Sequence, residues 1–263
     1  MQQSLINLVK KTGIHRLANR MAPRSYQRWQ DYHSIKSQVA QGYELVDLPE
    51  LEREYKKAVS WLIDNVGRDA IGDYLEFGVF YGSSLACMHK VLDELGVRHT
   101  RLFGFDSFEG LPESLHPDDK VWGAGEFKSS YAYAREFLTE RGVDWNRVFL
   151  TKGWFSDTLI PSFIQQERLK KAGLIMVDCD MYVSAKQALD FCGPLIQDEA
   201  IVFFDDWNSG GLAEGGQGEK RAFDEFLKQN PGFQTEEFGA YAYKGKPNAK
   251  VFRIWRATAD RAM

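Results

Sequence analysis

From residue 47 onward the chain alternates between two hydrophobic periods. Residues 47–65 carry apolar positions at helical spacing, with Pro49 in the first turn and Gly67 just past the end, so they predict a helix. Short apolar runs then recur, each followed by an amphipathic stretch. Strands are predicted over 73–77, 101–105, 147–151, 174–177 and 200–204, and helices over 83–95, 129–141, 158–167, 184–196 and 219–228. A long loop, 106–128, and a glycine-rich one, 210–218, interrupt the alternation. The tail alternates apolar and polar residues over 233–243 and 250–255, around Lys244-Gly245-Lys246-Pro247-Asn248. That pattern predicts a closing hairpin with a polar, mobile tip. Strands alternating with helices predict an α/β fold, a doubly wound, mostly parallel Rossmann-like sheet with an antiparallel hairpin at its C-terminal end. Ligands of such sheets bind at the carboxyl ends of the strands.

Residues 1–46 differ in character. Lys10, Lys11, Arg16, Arg20, Arg24, Arg28 and Lys36 face only Asp31 and Glu44, and Leu5, Ile6, Leu8, Val9, Ile14 and Leu17 make part of the segment weakly amphipathic. It reads as an N-terminal helical arm preceding one domain, 47–263. Such an arm can carry a solvated basic face, act as a lid, or join two copies as a homodimer.

Charge and cysteine content narrow the classes. A net charge of −4 gives no electrostatic reason to expect nucleic acid. The three cysteines, Cys87, Cys179 and Cys192, show no Cys-x-x-Cys spacing, which argues against structural zinc or a disulfide framework and for a reducing cytoplasm. No run of apolar residues is long enough for a transmembrane span, and the first residues lack the apolar core of a signal peptide.

Chemistry concentrates at strand ends. The run Leu174–Val177 ends in Asp178-Cys179-Asp180, and Ile201–Phe204 ends in Asp205-Asp206. If these strands are neighbours, their ends lie only ~5 Å apart. Asp178, Asp205 and Asp206 then crowd like charges whose repulsion a hard divalent cation such as Mg²⁺ would neutralise. The competing role is capping of the helices that follow.

The first strand runs into Glu76-Phe77-Gly78-Val79-Phe80-Tyr81-Gly82-Ser83-Ser84. Gly78 and Gly82 permit a tight turn and close approach of a ligand, with a helix starting at Ser83 or Ser84, although packing explains such glycines equally well. The second strand closes on Asp106, which can accept both ribose hydroxyls of a nucleoside or begin an Asx-turn at Ser107. An acid on the first strand, glycines after it and an acid closing the second make the arrangement of S-adenosylmethionine-binding sheets, with Glu76 near the methionine amine.

At this point the chain resembles the macrocin-type sugar O-methyltransferases, the group of the mycinamicin and novobiocin enzymes. The matching blocks are Tyr74-Leu75-Glu76-Phe77-Gly78-Val79 with Gly82, Asp106-Ser107-Phe108-Glu109-Gly110-Leu111-Pro112, Gly153-Trp154-Phe155-Ser156-Asp157-Thr158-Leu159, Asp178-Cys179-Asp180-Met181-Tyr182 and Asp205-Asp206-Trp207. The resemblance implies a class I methyltransferase fold and Mg²⁺-dependent methyl transfer to a sugar or glycoside hydroxyl. It implies metal ligation by Asp178, Asp205 and Asp206, and cofactor contacts from Glu76, Gly78, Asp106 and Ser107 and around Gly153-Trp154. Trp154 suits adenine stacking or the core. Cys179 stands where the family usually has glycine, Trp207 replaces a usual tyrosine, and no histidine follows His116, which closes a mechanism that relies on a late histidine base.

Asp180, two residues past Asp178, is therefore the expected general base; its competing role is a cap for the helix that follows. A metal-dependent catechol or phenol methyltransferase is the main rival, with Trp122, Phe127, Tyr131 and Tyr133 available to line an aromatic pocket. A noncatalytic assembly module on the same fold is the other. The basic arm also raises an anionic acceptor.

Overall fold

The computed structural model describes residues 23–257. Its strands are β1 (Asp73–Phe77), β2 (Leu102–Asp106), β3 (Val148–Lys152), β4 (Ala172–Val177), β5 (Glu199–Phe204), β6 (Phe233–Tyr243) and β7 (Lys246–Arg256). Its helices are α1 (Pro23–Ala40), α2 (Leu48–Asn65), α3 (Ser83–Glu94), α4 (Tyr131–Glu140), α5 (Phe155–Thr158), α6 (Pro161–Gln166), α7 (Tyr182–Cys192) and α8 (Gly218–Gln229). One sheet holds all seven strands in the order β3-β2-β1-β4-β5-β7-β6. β1 to β5 pair in parallel, and β7 and β6 follow antiparallel. The expected doubly wound sheet with its terminal hairpin is therefore the observed one.

Why the central strands read as unbroken apolar runs is clear from their two faces. Every residue of β4 and β5 is buried. Ile175, Val177, Val202 and Phe204 pack into one core with α7 and α8, through Ala185, Leu189, Phe223 and Phe226. The alternate residues Leu174, Met176, Ile201 and Phe203 pack into a second core with α2 and α3, through Leu51, Tyr55, Met88 and Leu92. Helices on both faces leave a parallel strand no polar side. The chain reverses its winding between β1 and β4, so their carboxyl ends open the crevice in which such sheets bind ligands.

Three expected features take a different form. The helix expected over 158–167 divides into α5 and α6, because Pro161 forces Ile160 into an extended conformation (φ −118°, ψ 152°). The long loop contains a short 3-10 turn, Pro117–Val121. The five-residue mobile tip of the hairpin is a two-residue turn: Lys244 and Gly245 both take positive φ (49° and 76°), which matches the twist of the flanking strands. Pro247 and Asn248 lie inside β7, beside a register shift between Tyr241 and Ala242.

Of the arm, α1 is described; Lys10, Lys11, Arg16, Arg20 and the apolar positions from Leu5 to Leu17 lie outside the described residues. Ile35 of α1 packs with Tyr133 and Phe137 of α4. Tyr32 and Lys36 both bond Glu136, and Lys128 reaches Asp31 at 3.2 Å. Among the described residues no helix is long and apolar enough to cross a membrane.

Candidate active site

A cavity of about 830 Å³ opens at the carboxyl ends of β1, β2, β4 and β5, within the ordinary range for a small-molecule site. Leu45 and Val46, from the segment joining α1 to α2, close one side. The long loop supplies another wall, including Glu113, His116, Trp122 and Phe127.

The turn after β1 shapes one half. Gly78 has φ 95°, and a Cβ there would lie 1.6 Å from the carbonyl oxygen of Asp178, so the β1 and β4 ends approach as closely as two backbones can. Gly82, at φ 94°, leads into the N-terminus of α3 and packs against Leu138. Asp106 binds this turn from β2. Its Oδ2 accepts the N–H groups of Val79 and Phe80, both at 2.8 Å, and its Oδ1 that of Phe108 at 2.5 Å. Burial pushes the Asp106 carboxyl up while these three N–H donors pull it down. The Asx-turn reading of Asp106 is thus realised, and an open lone-pair direction on Oδ1 remains for a ligand. Ser107 closes the next turn, accepting from the Glu109 N–H and donating to the Gly110 carbonyl, both at 3.0 Å.

Glu76 sits deeper. Its Oε2 accepts from Tyr74 at 2.5 Å and its Oε1 from Ser84 at 2.9 Å, and Tyr74 in turn bonds Tyr55 at 3.0 Å. Burial raises its pKa to about 8, against the lowering effect of these two bonds. Gly78, Ser83, Asp106, Ser107 and Trp154 all line the cavity, whereas Glu76, Gly82 and Gly153 are not among its lining residues; Glu76 bonds Ser84, which is. Trp154 is 38% exposed, so it is not a core residue.

The aspartates form the other half. The N–H of Asp178 continues the ladder to Phe77 at 2.9 Å and that of Asp205 to Val177 at 3.0 Å, so β1, β4 and β5 end level with one another. One carboxylate oxygen from each of Asp178, Asp205 and Asp206 falls within 4.8 Å of the others. Burial pushes all three carboxyls up, and repulsion from neighbouring aspartates adds to it at Asp178 and Asp205, the latter reaching about 7, while hydrogen bonds from Ser209 and Asp180 partly offset burial at Asp206. The charges that act on Asp178 are all negative: Asp205, Asp206, Asp180 and Glu76. Glu219, 1% exposed, accepts the Asp206 N–H at 3.1 Å through Oε2, while its buried Oε1 has no hydrogen-bond partner. An all-oxygen donor set with this excess of negative charge fits a hard divalent cation.

Asp180 lies at the edge of the cluster and lines the cavity. Its φ of 61° is unusual outside glycine, and the Met181 N–H closes a three-residue turn around it to the Cys179 carbonyl at 2.6 Å. Its N–H donates to Asp206 Oδ2 at 3.2 Å, and its carboxyl also hydrogen-bonds Asp206. Burial and the neighbouring carboxylates push its carboxyl far above the usual range. Asp180 does not cap α7; Asp119 does, from the long loop.

Of the departures from the family pattern, Cys179 lines the cavity, whereas Trp207 lies away from it. Trp207 is packed on Phe204, Phe223 and Phe252 in the core. Of the four aromatics considered for an aromatic pocket, Trp122 and Phe127 line the cavity, while Tyr131 packs on Phe108 and Tyr133 on Phe137. The sequence reading missed Ser209, Glu219, Tyr241, Tyr243, Lys246 and Asn248, which line or support the aspartate half. Glu219 follows directly on the glycine-rich loop and could have been suspected. Tyr241 carries no local signal, since its position depends on the hairpin register.

A seven-stranded sheet of this order with its site at the strand ends defines the class I methyltransferase fold. Solved structures agree. The O-methyltransferase NovP aligns with a TM-score of 0.60 at 20% identity, covering 79% of each chain. The calicheamicin methyltransferase CalS11 aligns at 0.59 and 20%, covering 94% of this chain and 91% of its own. The family model for macrocin-O-methyltransferase (TylF) matches residues 49–230, and the chain belongs to that family. Among curated relatives, the 8-demethyl-8-(2,3-dimethoxy-alpha-L-rhamnosyl)-tetracenomycin-C 4'-O-methyltransferase of Streptomyces olivaceus is 30% identical over 157 residues, 57% of this chain and 58% of its own. Demethyldecarbamoylnovobiocin O-methyltransferase of Streptomyces niveus is 26% identical over 55% of this chain and 56% of its own. The match thus spans a little over half the length of these relatives.

Proposed function

We propose that the chain is an S-adenosylmethionine-dependent, Mg²⁺-assisted O-methyltransferase whose acceptor is a hydroxyl of a sugar or glycoside. The observation that carries this reading is the shared cavity, in which the glycine turn after β1 and the aspartate cluster after β4 and β5 face one space. The family and the named acceptors of the relatives, which are glycosylated natural products, supply the substrate class.

Gly78, Ser83, Asp106, Ser107 and Trp154 would hold the cofactor, with the α3 N-terminus suited to its carboxylate. Glu76, Gly82 and Gly153 would support that half of the site, Glu76 through Ser84 and Gly82 through the turn into α3. Asp178, Asp205 and Asp206 would hold the cation. When bound, the cation supplies Lewis-acid polarisation and a template for acceptor hydroxyls, and the cofactor supplies the methyl group. Asp180 serves as general base in its ionised form, which a bound cation would favour by offsetting the negative charge around it. Its carboxylate would take the hydroxyl proton as the oxygen–methyl bond forms and the methyl–sulfur bond breaks, releasing S-adenosylhomocysteine. A positioned base of this kind contributes ~10²–10⁴-fold. The apolar walls at Leu45, Val46, Trp122 and Phe127 exclude water from the transfer. Residues 1–46 fit the same scheme as an arm or lid, because the segment carrying Leu45 and Val46 borders the cavity; pairing of two copies through the arm would appear as a dimer in sedimentation.

The test is calorimetric titration with S-adenosylhomocysteine, followed by methyl transfer from labelled S-adenosylmethionine to a panel of glycosides and catechols, with Mg²⁺ and with chelator. Binding together with Mg²⁺-dependent labelling of glycosides is expected. Labelling of catechols alone would move the acceptor to aromatic diols, and failure to bind S-adenosylhomocysteine would overturn the enzyme reading.

A further inference from the structure

The C-terminal hairpin grips the aspartate cluster at two points. Tyr241 of β6 is buried, and its hydroxyl donates to Asp205 Oδ1 at 2.7 Å. Asn248 of β7 donates through Nδ2 to the backbone carbonyl of Asp205 at 2.6 Å. β6 is the edge strand, with β7 between it and β5, so the Tyr241 side chain must cross β7 to reach Asp205. Its cross-strand partner is Ala249, small enough to leave that path open, and the register shift at Tyr241/Ala242 locally bends the strand.

We propose that Tyr241 is a positioning residue that fixes the Asp205 carboxylate with Oδ1 turned away and Oδ2 presented to a bound divalent cation; this rests on the metal reading above. The terminal torsion of an aspartate is broad, so the carboxylate needs an external partner to hold one orientation. The Tyr241 hydroxyl has one proton, and its other neighbour, Met176 Sδ at 3.9 Å, is a far weaker acceptor than a carboxylate. Hydrogen bonds to metal-ligating groups set their orientation, and their loss typically costs ~10–100-fold in metal affinity. The hairpin thereby gains a role in the site: it is the element that orients one ligand of the cation, although it lies beyond the parallel strands that carry the ligands.

Mn²⁺ binding to the full chain, followed by electron paramagnetic resonance, tests this with wild type, Asp205→Asn and Tyr241→Phe. The Tyr241→Phe protein is expected to bind Mn²⁺ about tenfold more weakly while keeping the wild-type melting temperature and its affinity for S-adenosylhomocysteine. A loss of at least about fivefold supports the proposal and a smaller one overturns it, with the metal reading intact provided Asp205→Asn abolishes binding. If wild type binds no Mn²⁺, or Asp205→Asn binds as wild type does, the metal reading falls and this inference with it. A Tyr241→Phe protein that does not fold also overturns it, because the hydroxyl would then serve stability.

Discussion

The Asp119 carboxylate accepts the backbone N–H of Tyr182 at 2.7 Å, so a residue of the long loop caps the helix that follows the Asp178–Asp180 turn. The other Asp119 oxygen accepts from Ser114 at 2.7 Å. Next to it, Asp118 accepts from the Gly218 N–H and from Arg221, both at 3.3 Å, and the His116 ring stacks on Tyr182 at 4.2 Å. The loop that walls the cavity is therefore fastened to α7 and α8, and its position is coupled to that of the aspartates. Asp119→Ala should cost ~0.5–2 kcal/mol, the usual value of a lost cap, and Asp119→Asn much less. Urea unfolding of the two variants makes the comparison.

Asp205→Asn should reduce methyl transfer by more than ~10²-fold, beyond what loss of an outer partner of a metal ligand costs. S-adenosylhomocysteine should still bind, since Asp205 contributes to the opposite half of the cavity from Gly78 and Asp106. Parallel loss of both in calorimetry and turnover would instead indicate collapse of the shared strand ends.

Affinity for the divalent ion should rise with pH. Burial raises the pKa values of Asp178, Asp205 and Asp206, helped at Asp178 and Asp205 by repulsion from neighbouring aspartates, that of Asp205 to about 7, so below neutrality protons must leave before an ion enters. Mn²⁺ should bind more weakly at pH 6 than at pH 8, with proton release measurable as a buffer-dependent enthalpy. A pH-independent affinity would contradict this.

Glu76 predicts a stability effect of defined sign. Its pKa in the folded chain is raised to about 8 from an ordinary 4.5. The folded state therefore holds a proton that the unfolded state releases, and stability from this group is complete below the unfolded value and declines as pH rises through the folded one. Glu76→Gln, neutral throughout, should gain on wild type as pH rises between those two values, by up to several kcal/mol in all. Melting temperatures of the pair across pH 5 to 9 should diverge; parallel curves would show that Glu76 titrates normally.

Gly78→Ala should be among the most damaging single substitutions. The added carbon would meet the Asp178 carbonyl oxygen at 1.6 Å, and φ is 95° besides. A soluble Gly78→Ala protein with wild-type stability and cofactor affinity would contradict the close approach of β1 and β4.

Much of the fold was legible because it depends on local periods. The two-sided burial of β4 and β5 makes each an unbroken apolar run, and the expected β1 coincides with the observed strand, Asp73–Phe77. The strand ends could also be read for chemistry, since acids closing buried strands stand out against an apolar background. Gathering Asp178, Asp205 and Asp206 required only that β4 and β5 be neighbours, as the β4–β5 pairing provides.

Tertiary structure alone decided where the remaining side chains point. Glu76 turned inward to Tyr74 and Ser84 because alternation along β1 directs it to the core shared with α2 and α3. Asp119 reached α7 across sixty-three residues, and Tyr241 reached Asp205 across thirty-six. Neither contact leaves a mark in local sequence, because each depends on how a loop or a hairpin registers against distant strands. The sequence by itself determined the elements, the sheet and the acids at its edge; the tertiary structure decided which groups cap, orient and enclose them, since those contacts are set by packing in three dimensions and not by spacing along the chain.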